Sequence, residues 1–225
     1  MHLELPKERL HSLKDFSKHY LMIVLSILTA LGLEAWIEHT HHRHAAAEAG
    51  AKIEAEIQQN LAEIRRVREH DAARLRELSA LRDALSSDLK AHVPDEVIHR
   101  HVRQATPHGL YLDYRWPMLR REAWDVTVAN QSAGWIESER LRNYSTIYAM
   151  QTLSGTIQAQ DIPMVLDGPR MIDAMLDVQA DDYQPRELLR VVNQMAGAAS
   201  ELVNMLDNLT KKIETNLPAD QRPHA

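Results

Sequence analysis

The sequence predicts an all-α protein, in which an N-terminal transmembrane helix continues into a long amphipathic, coiled-coil-like helix packed in an extracytoplasmic helical bundle. Composition favours helix over sheet, because the 225 residues include one Phe and seven Gly but abundant Ala, Leu, Glu and Arg. An uncharged apolar run covers residues 21–33. The segment 51–93 contains neither Gly nor Pro and repeats apolar residues at helical spacing.

The apolar run has the flanks of a membrane-spanning helix. Tyr20 and Trp36 bracket it, as amphipathic aromatic residues do at the two membrane interfaces. A helix from Phe16 to Ile37 would be about 33 Å long at roughly 1.5 Å per residue, against a bilayer core of about 30 Å. We therefore expect residues 20–37 to form a transmembrane signal anchor. A cleaved signal peptide and a buried helix of a soluble protein are the alternatives.

Basic residues predict the orientation of this anchor. Four precede the run and only two closely follow it: Lys7, Arg9, Lys14 and Lys18, then Arg43 and Lys52. The positive-inside rule then makes residues 1–19 a cytoplasmic tail. The bulk of the chain would lie in the periplasm of a bacterium, attached to the inner membrane.

Charge and cysteine content exclude several classes of function. The formal net charge of −6 gives no basic field for nucleic acid, so no nucleic-acid partner is expected. Because there is no Cys, the chain has no disulfide, thiolate metal site or Cys nucleophile. No cofactor is predicted. The expected partners are the lipid bilayer and either another protein or a second copy of this chain.

Residues 38–93 are predicted to form one long amphipathic helix. Two apolar stripes follow each other along it, with polar Asp71 and Arg74 between them: Ile53, Ile57, Leu61 and Ile64, then Leu75, Leu78, Leu85 and Leu89. Spacings of three and four residues are typical of a helix that buries one face.

Residues 94–217 are predicted to complete the helical bundle. Pro94 ends the long helix and opens a short helix that reaches Gln104. A turn at 106–109 and an extended or irregular stretch from 110 to 116 follow.

Two further helices are expected in the middle of the bundle. Pro117 begins a helix that carries Trp124 and Val128 and stops near Gly134. Ser138 caps the next helix, whose predicted apolar face is Leu141, Tyr144, Ile147, Tyr148 and Leu153. Asp161 and Pro163 open another helix, which Gly168-Pro169 interrupts.

The last helix has the clearest pattern. After Pro185, eight apolar residues alternate spacings of four and three: Leu188, Val192, Met195, Ala199, Leu202, Leu206, Leu209 and Ile213. We expect this seam to pack antiparallel against the long first helix, which returns the chain toward the membrane. Residues 218–225 are predicted to be a disordered tail.

Three segments carry a family resemblance. They are LMIVLSILTALGLEAWIE at 21–38, AWDVTVANQSAG at 123–134 and LRNYSTIY at 141–148. In this layout the chain resembles a family of bacterial single-pass membrane proteins of unknown function. The resemblance implies an N-terminal anchor with an extracytoplasmic helical domain, and no activity.

Four histidines just after the anchor are the candidate metal ligands: His39, His41, His42 and His44, here called the collar. Glu38 and His41 match the Glu-x-x-His spacing of carboxylate-bridged metal sites on helices. Imidazole suits Zn, Cu and Ni. The alternative is a solvated helix face at the membrane surface.

The sequence predicts a protein that acts by binding and not by catalysis. It contains no G-x-S-x-G, no H-E-x-x-H and no phosphate-binding glycine loop. We expect a membrane-anchored interaction or accessory protein. The alternative is a sensor of a ligand, a metal or pH that signals through a separate partner.

Overall fold

The computed structural model describes residues 13–111, 113–165 and 168–217. These residues form helices and connecting segments without a β-strand, which confirms the predicted all-α class. The elements are α1 Leu13–Lys90, α2 Asp95–Ala105, α3 Glu122–Ala129, the 3₁₀ helix η1 Ser132–Trp135, α4 Ser138–Val165, α5 Gly168–Ala180 and α6 Pro185–Asn216. Residues 1–12 of the predicted cytoplasmic tail and the predicted tail 218–225 lie outside the described residues.

Helix α1 is one uninterrupted helix of 78 residues. It joins the predicted anchor to the predicted amphipathic helix without a break, and it ends at Lys90, three residues before the predicted end at Val93. From Phe16 to His41 every side chain except that of Val24 is exposed. Burial against the rest of the chain begins at His42, so the bundle surrounds only the later part of α1.

Helix α6 follows its prediction closely. It begins at Pro185, and all eight seam residues are buried. Ion pairs fix its antiparallel direction on α1, because Arg65 reaches Glu214 at 2.6 Å and Arg68 reaches Asp207 at 2.9 Å. The C-terminal end of α6 therefore stops near Arg65, which lies about 44 Å along α1 from Trp36 at roughly 1.5 Å per residue.

The buried apolar residues form two clusters. The upper cluster joins the end of α1 to α2, α5 and the first half of α6, and includes Leu78, Leu85, Ile98, Met171 and Met195. The lower cluster joins the middle of α1 to α4 and the end of α6, and includes Ile53, Ile57, Tyr144, Tyr148 and Leu206. Asp71 and Arg74, which the sequence placed beside the two stripes, are buried between the clusters at 0% and 9% exposure.

The segment before α3 differs from the prediction. The helix expected from Pro117 begins only at Glu122 and ends at Ala129, and η1 follows it separately. Residues 110–121, here called the strap, run without regular structure along α1 toward its N-terminal end; residue 112 is not described. Side chains of α1 supply hydrogen bonds that a helix would have given the strap.

The start of α4 also needs a correction. Ser138 is its first helical residue, and Glu137 caps it instead, with its carboxylate oxygens accepting from the N–H groups of Glu139 and Arg140 at 2.9 Å each. These backbone hydrogen bonds lower the pKa of Glu137. On the predicted apolar face of this helix, Leu153 is 59% exposed.

The end of α4 lies later than predicted. The helix continues through Asp161 and Pro163 to Val165, so no new helix opens there. A proline in the last turn removes only one backbone hydrogen bond before the helix stops. Gly168-Pro169 does not interrupt a helix but begins α5, where the fixed backbone angle of proline suits a first turn.

Candidate functional site

The most extensive exposed apolar surface of the described residues is the first part of α1. Twelve large apolar side chains between residues 16 and 37 are at least 44% exposed: Phe16, Tyr20, Leu21, Met22, Ile23, Leu25, Ile27, Leu28, Leu31, Leu33, Trp36 and Ile37. By length and composition, one segment of α1 is suited to cross a membrane, and none of its most apolar window is buried. A core helix of a soluble protein would be mostly buried. A signal sequence near the N-terminus has the same length and apolar composition as a membrane-spanning helix.

The collar histidines do not converge on one point. His39, His41 and His44 are exposed, while the ring of His42 stacks on the ring of Trp135 with centroids 4.0 Å apart. Glu38 lies 3.9 Å from His42, one residue beyond its predicted partner His41. Within the described residues, no group of three or more His, Cys, Asp or Glu side chains is placed to hold a metal ion. Metal binding by the collar stays a prediction.

Buried polar side chains of α1 hold the lower part of the strap. The carboxamide of Asn60 donates to the carbonyl oxygen of Arg120 at 2.7 Å and accepts from its N–H at 2.8 Å. One turn earlier, the Glu56 carboxylate accepts from the N–H of Ala123 at 2.9 Å. Backbone groups that lack a helical partner are thus satisfied by side chains, as buried backbone groups must be.

The upper part of the strap is held in the same way. Asp71 accepts from the N–H of Arg115 at 3.1 Å, and Arg74 donates to the carbonyl oxygen of Tyr111. His70 lies between two carboxylates, 3.1 Å from Asp71 and 3.1 Å from Asp113 of the strap. These contacts join the strap to α1 at the boundary between the upper and lower clusters.

Two tyrosines of α4 bind carboxylates of α1. The hydroxyl of Tyr148 donates to Glu56 at 2.6 Å, and that of Tyr144 donates to Glu54, which Arg140 also contacts at 2.6 Å. Burial raises the pKa of both tyrosines, and the hydrogen bonds to the carboxylates raise it further. Both phenols therefore act as hydrogen-bond donors at neutral pH.

A third aromatic ring completes this group. Trp124 of α3 stacks on Tyr148 with ring centroids 5.3 Å apart. Tyr144 and Tyr148 lie in the lower cluster, as predicted for the apolar face of their helix, and Trp124 packs against that cluster. Their role is packing and hydrogen bonding within the bundle.

The sequence contained a signal for the buried polar residues that the prediction did not use. Positions 64, 67, 71, 74, 78, 81 and 85 follow an unbroken alternation of three and four, and all seven residues are buried. Asp71 and Arg74 occupy seam positions in that alternation, where a polar residue needs a partner. That partner is the strap, whose irregular course the pattern of α1 does not indicate.

The fold defines the chain as a helical bundle built around one long helix whose N-terminal part is apolar and exposed. No protein-family model, no curated protein and no solved structure matches it. The resemblance to bacterial single-pass membrane proteins therefore stays an expectation from the sequence.

Proposed function

We propose that this chain is a bacterial inner-membrane protein that acts as a non-catalytic interaction or accessory subunit. The segment 20–37 is its signal anchor, residues 1–19 lie in the cytoplasm, and the helical bundle lies in the periplasm. The single observation that supports the proposal best is the exposure of the apolar N-terminal part of α1. This part projects beyond the bundle, and no other described element covers its apolar side chains. A bilayer supplies that cover at a matching length.

The nature of the bundle's surface supports binding to another protein. Ile172 and Leu176 lie one turn apart on α5 and are 53% and 57% exposed, while Met171, Ala174 and Val178 on the other side of α5 are buried. Apolar side chains one turn apart on one helix face are the kind of anchor that a partner's groove binds. This pair lies on the upper part of the bundle, far from the anchor.

The alternative, a ligand sensor, has less support. A cleft of about 850 Å³ lies between α1 and the strap. Most of its polar side chains already have partners: Asn60 binds the backbone of Arg120, Arg66 binds Glu63, and Arg121 binds Asp125. A ligand would have to displace these contacts, so the cleft offers few free polar groups.

The topology is tested with reporter fusions at the C-terminus. Alkaline phosphatase, which folds to its active form only outside the cytoplasm, should be active, and a fluorescent reporter that folds only in the cytoplasm should be dark. The reverse result would contradict the proposed orientation.

The protein isolated from membranes should retain residues 20–37, and loss of this segment would show that the apolar run is a cleaved signal peptide.

The interaction is tested by site-specific photocrosslinking in native membranes. A photoreactive residue at Ile172 or Leu176 should give one defined crosslinked species, whereas the same residue at exposed Lys211 on α6 should not. Mass spectrometry then distinguishes a second copy from a different protein. Identical labelling from all three positions would show that these α5 residues have no specific partner.

A further inference from the structure

The strap brings one tryptophan to the end of the bundle that faces the exposed apolar helix. Arg120 lies against Asn60 and Ala123 against Glu56, so the chain descends α1 toward its N-terminal end. η1 completes the descent and places Trp135 against His42, the first residue of α1 that the bundle covers. We call η1 and the α1 residues 42–50 the base of the bundle.

Trp135 is stacked but not buried. Its ring lies nearly parallel to that of His42, at an interplanar angle of 14°, and the residue remains 42% exposed. Gly134 beside it is also exposed. An indole with one face packed and one edge open has the amphipathic character that places tryptophan at membrane interfaces.

The base lies within reach of lipid headgroups. His42 lies six positions after Trp36 in the continuous helix, which corresponds to about 9 Å at roughly 1.5 Å per residue. The polar layer on each side of a bilayer is about 5–8 Å thick. If Trp36 marks the edge of the hydrocarbon core, the base begins at the outer edge of the headgroup layer. No further segment of α1 then separates the base from the headgroups.

The charges around the base are compatible with phosphate headgroups. Arg43 is exposed beside the stacked pair. Of the nearest carboxylates, Glu48 is paired with Lys52 at 2.7 Å and Glu38 lies 3.9 Å from His42, which is charged only when protonated. Glu137, two residues after Trp135, accepts two backbone N–H groups of α4. A basic side chain at this level attracts anionic lipid.

We propose that the base of the bundle rests on the phospholipid headgroup layer, with the exposed edge of Trp135 in the membrane interface. This inference rests on the proposed function, since it requires α1 to span the bilayer. The bundle is then held at the surface at two points, the anchor and Trp135. Its far end, at Lys90, stands about 81 Å from Trp36 at roughly 1.5 Å per residue.

The absence of cysteine allows a direct test with single spin labels. Three of the glycines at which an added Cβ would meet no atom within 4 Å are used: Gly32 in the apolar segment, Gly134 at the base and Gly197 on α6. Each is changed to Cys in the full-length protein, labelled with a nitroxide and placed in nanodiscs of phosphatidylethanolamine and phosphatidylglycerol. Collisions with oxygen, which concentrates in lipid, and with a water-soluble nickel complex report the depth of each label.

The label at Gly32→Cys should show lipid exposure, that at Gly197→Cys water exposure, and that at Gly134→Cys an intermediate depth. Adding Trp135→Ala to Gly134→Cys should shift the label toward water, whereas Trp135→Phe should shift it less. Water exposure at Gly134→Cys equal to that at Gly197→Cys, with Gly32→Cys in lipid, would overturn the seating of the base and leave the proposed anchor intact. Water exposure at Gly32→Cys would overturn both.

Discussion

The carboxamide of Asn60 makes two hydrogen bonds with the backbone of Arg120, sixty residues later in the chain, at 2.7 and 2.8 Å. The side chain thus takes the place of the neighbouring peptide groups that would bond to Arg120 in a helix. Asn60 itself is 1% exposed. This pairing explains why the helix expected from Pro117 is delayed to Glu122, and it fixes the course of the strap toward the base.

Replacing Asn60 by Ala should destabilise the protein by about 1–3 kcal/mol, because the backbone N–H and C=O of Arg120 both lose their partner. Amide hydrogen exchange at Arg120 should accelerate together with the loss of stability. The measurement is denaturant unfolding of the detergent-solubilised full-length protein, with exchange followed by mass spectrometry. The control is Gln59→Ala next to it, an exposed change that should stay within about 0.5 kcal/mol. Equal effects of the two changes would contradict the role of Asn60.

The seam between α1 and α6 should depend on Leu206. This side chain is fully buried in the lower cluster, so Leu206→Ala should cost about 2–5 kcal/mol through lost burial and the cavity left behind. The control is Leu176→Ala on the exposed face of α5, which should have little effect on the free energy of unfolding. A melting temperature that Leu206→Ala leaves unchanged would speak against the antiparallel pairing.

Four of the six tyrosines should resist ionisation in the folded protein. Burial raises the pKa of Tyr114 and Tyr183 to about 12, and raises that of Tyr144 and Tyr148 as well. Because these folded pKa values exceed the ordinary value near 10, the stabilisation they contribute is complete below about pH 10 and is lost as pH rises through the folded pKa.

Phenolate absorbance measures this effect. At about pH 11 the folded protein should show far less phenolate than the same protein in denaturant. Tyr148→Phe should leave the absorbance of the folded protein at that pH nearly unchanged, whereas Tyr111→Phe, an exposed residue, serves as the comparison. Full ionisation of all tyrosines in a protein that is still helical would refute the burial of these phenols.

The collar gives a prediction about metal binding. His41 and His44 are both exposed and lie three residues apart on one helix, so their imidazoles can share one Zn²⁺ ion. His42 is occupied by its stack on Trp135. Calorimetric titration of the full-length protein should therefore show Zn²⁺ binding that His41→Gln or His44→Gln abolishes and His39→Gln leaves in place. Equal loss in all three variants would contradict this pairing.

The sequence alone determined the helices with strong local signals. The seam after Pro185 and the Gly- and Pro-free segment 51–93 repeat apolar residues at helical spacing, and the apolar run 21–33 has the length and flanks of a membrane-spanning helix. In α6 and α1 the predicted and observed helices therefore agree to within a few residues. The antiparallel pairing of these two helices followed from the same patterns, because each had one long apolar face to bury.

The tertiary structure decided everything that depends on one polar side chain meeting a distant backbone. From the sequence alone, Asn60 and Asp71 look like ordinary polar residues of a helix. Their partners are the backbone groups of Arg120 and Arg115, and no local sequence pattern indicates these pairings. The same holds for Trp135, whose place against His42 results from the whole descent of the strap. Helical periodicity is local, whereas these hydrogen bonds and this stack join residues 44 to 93 positions apart, which only the packed chain brings together.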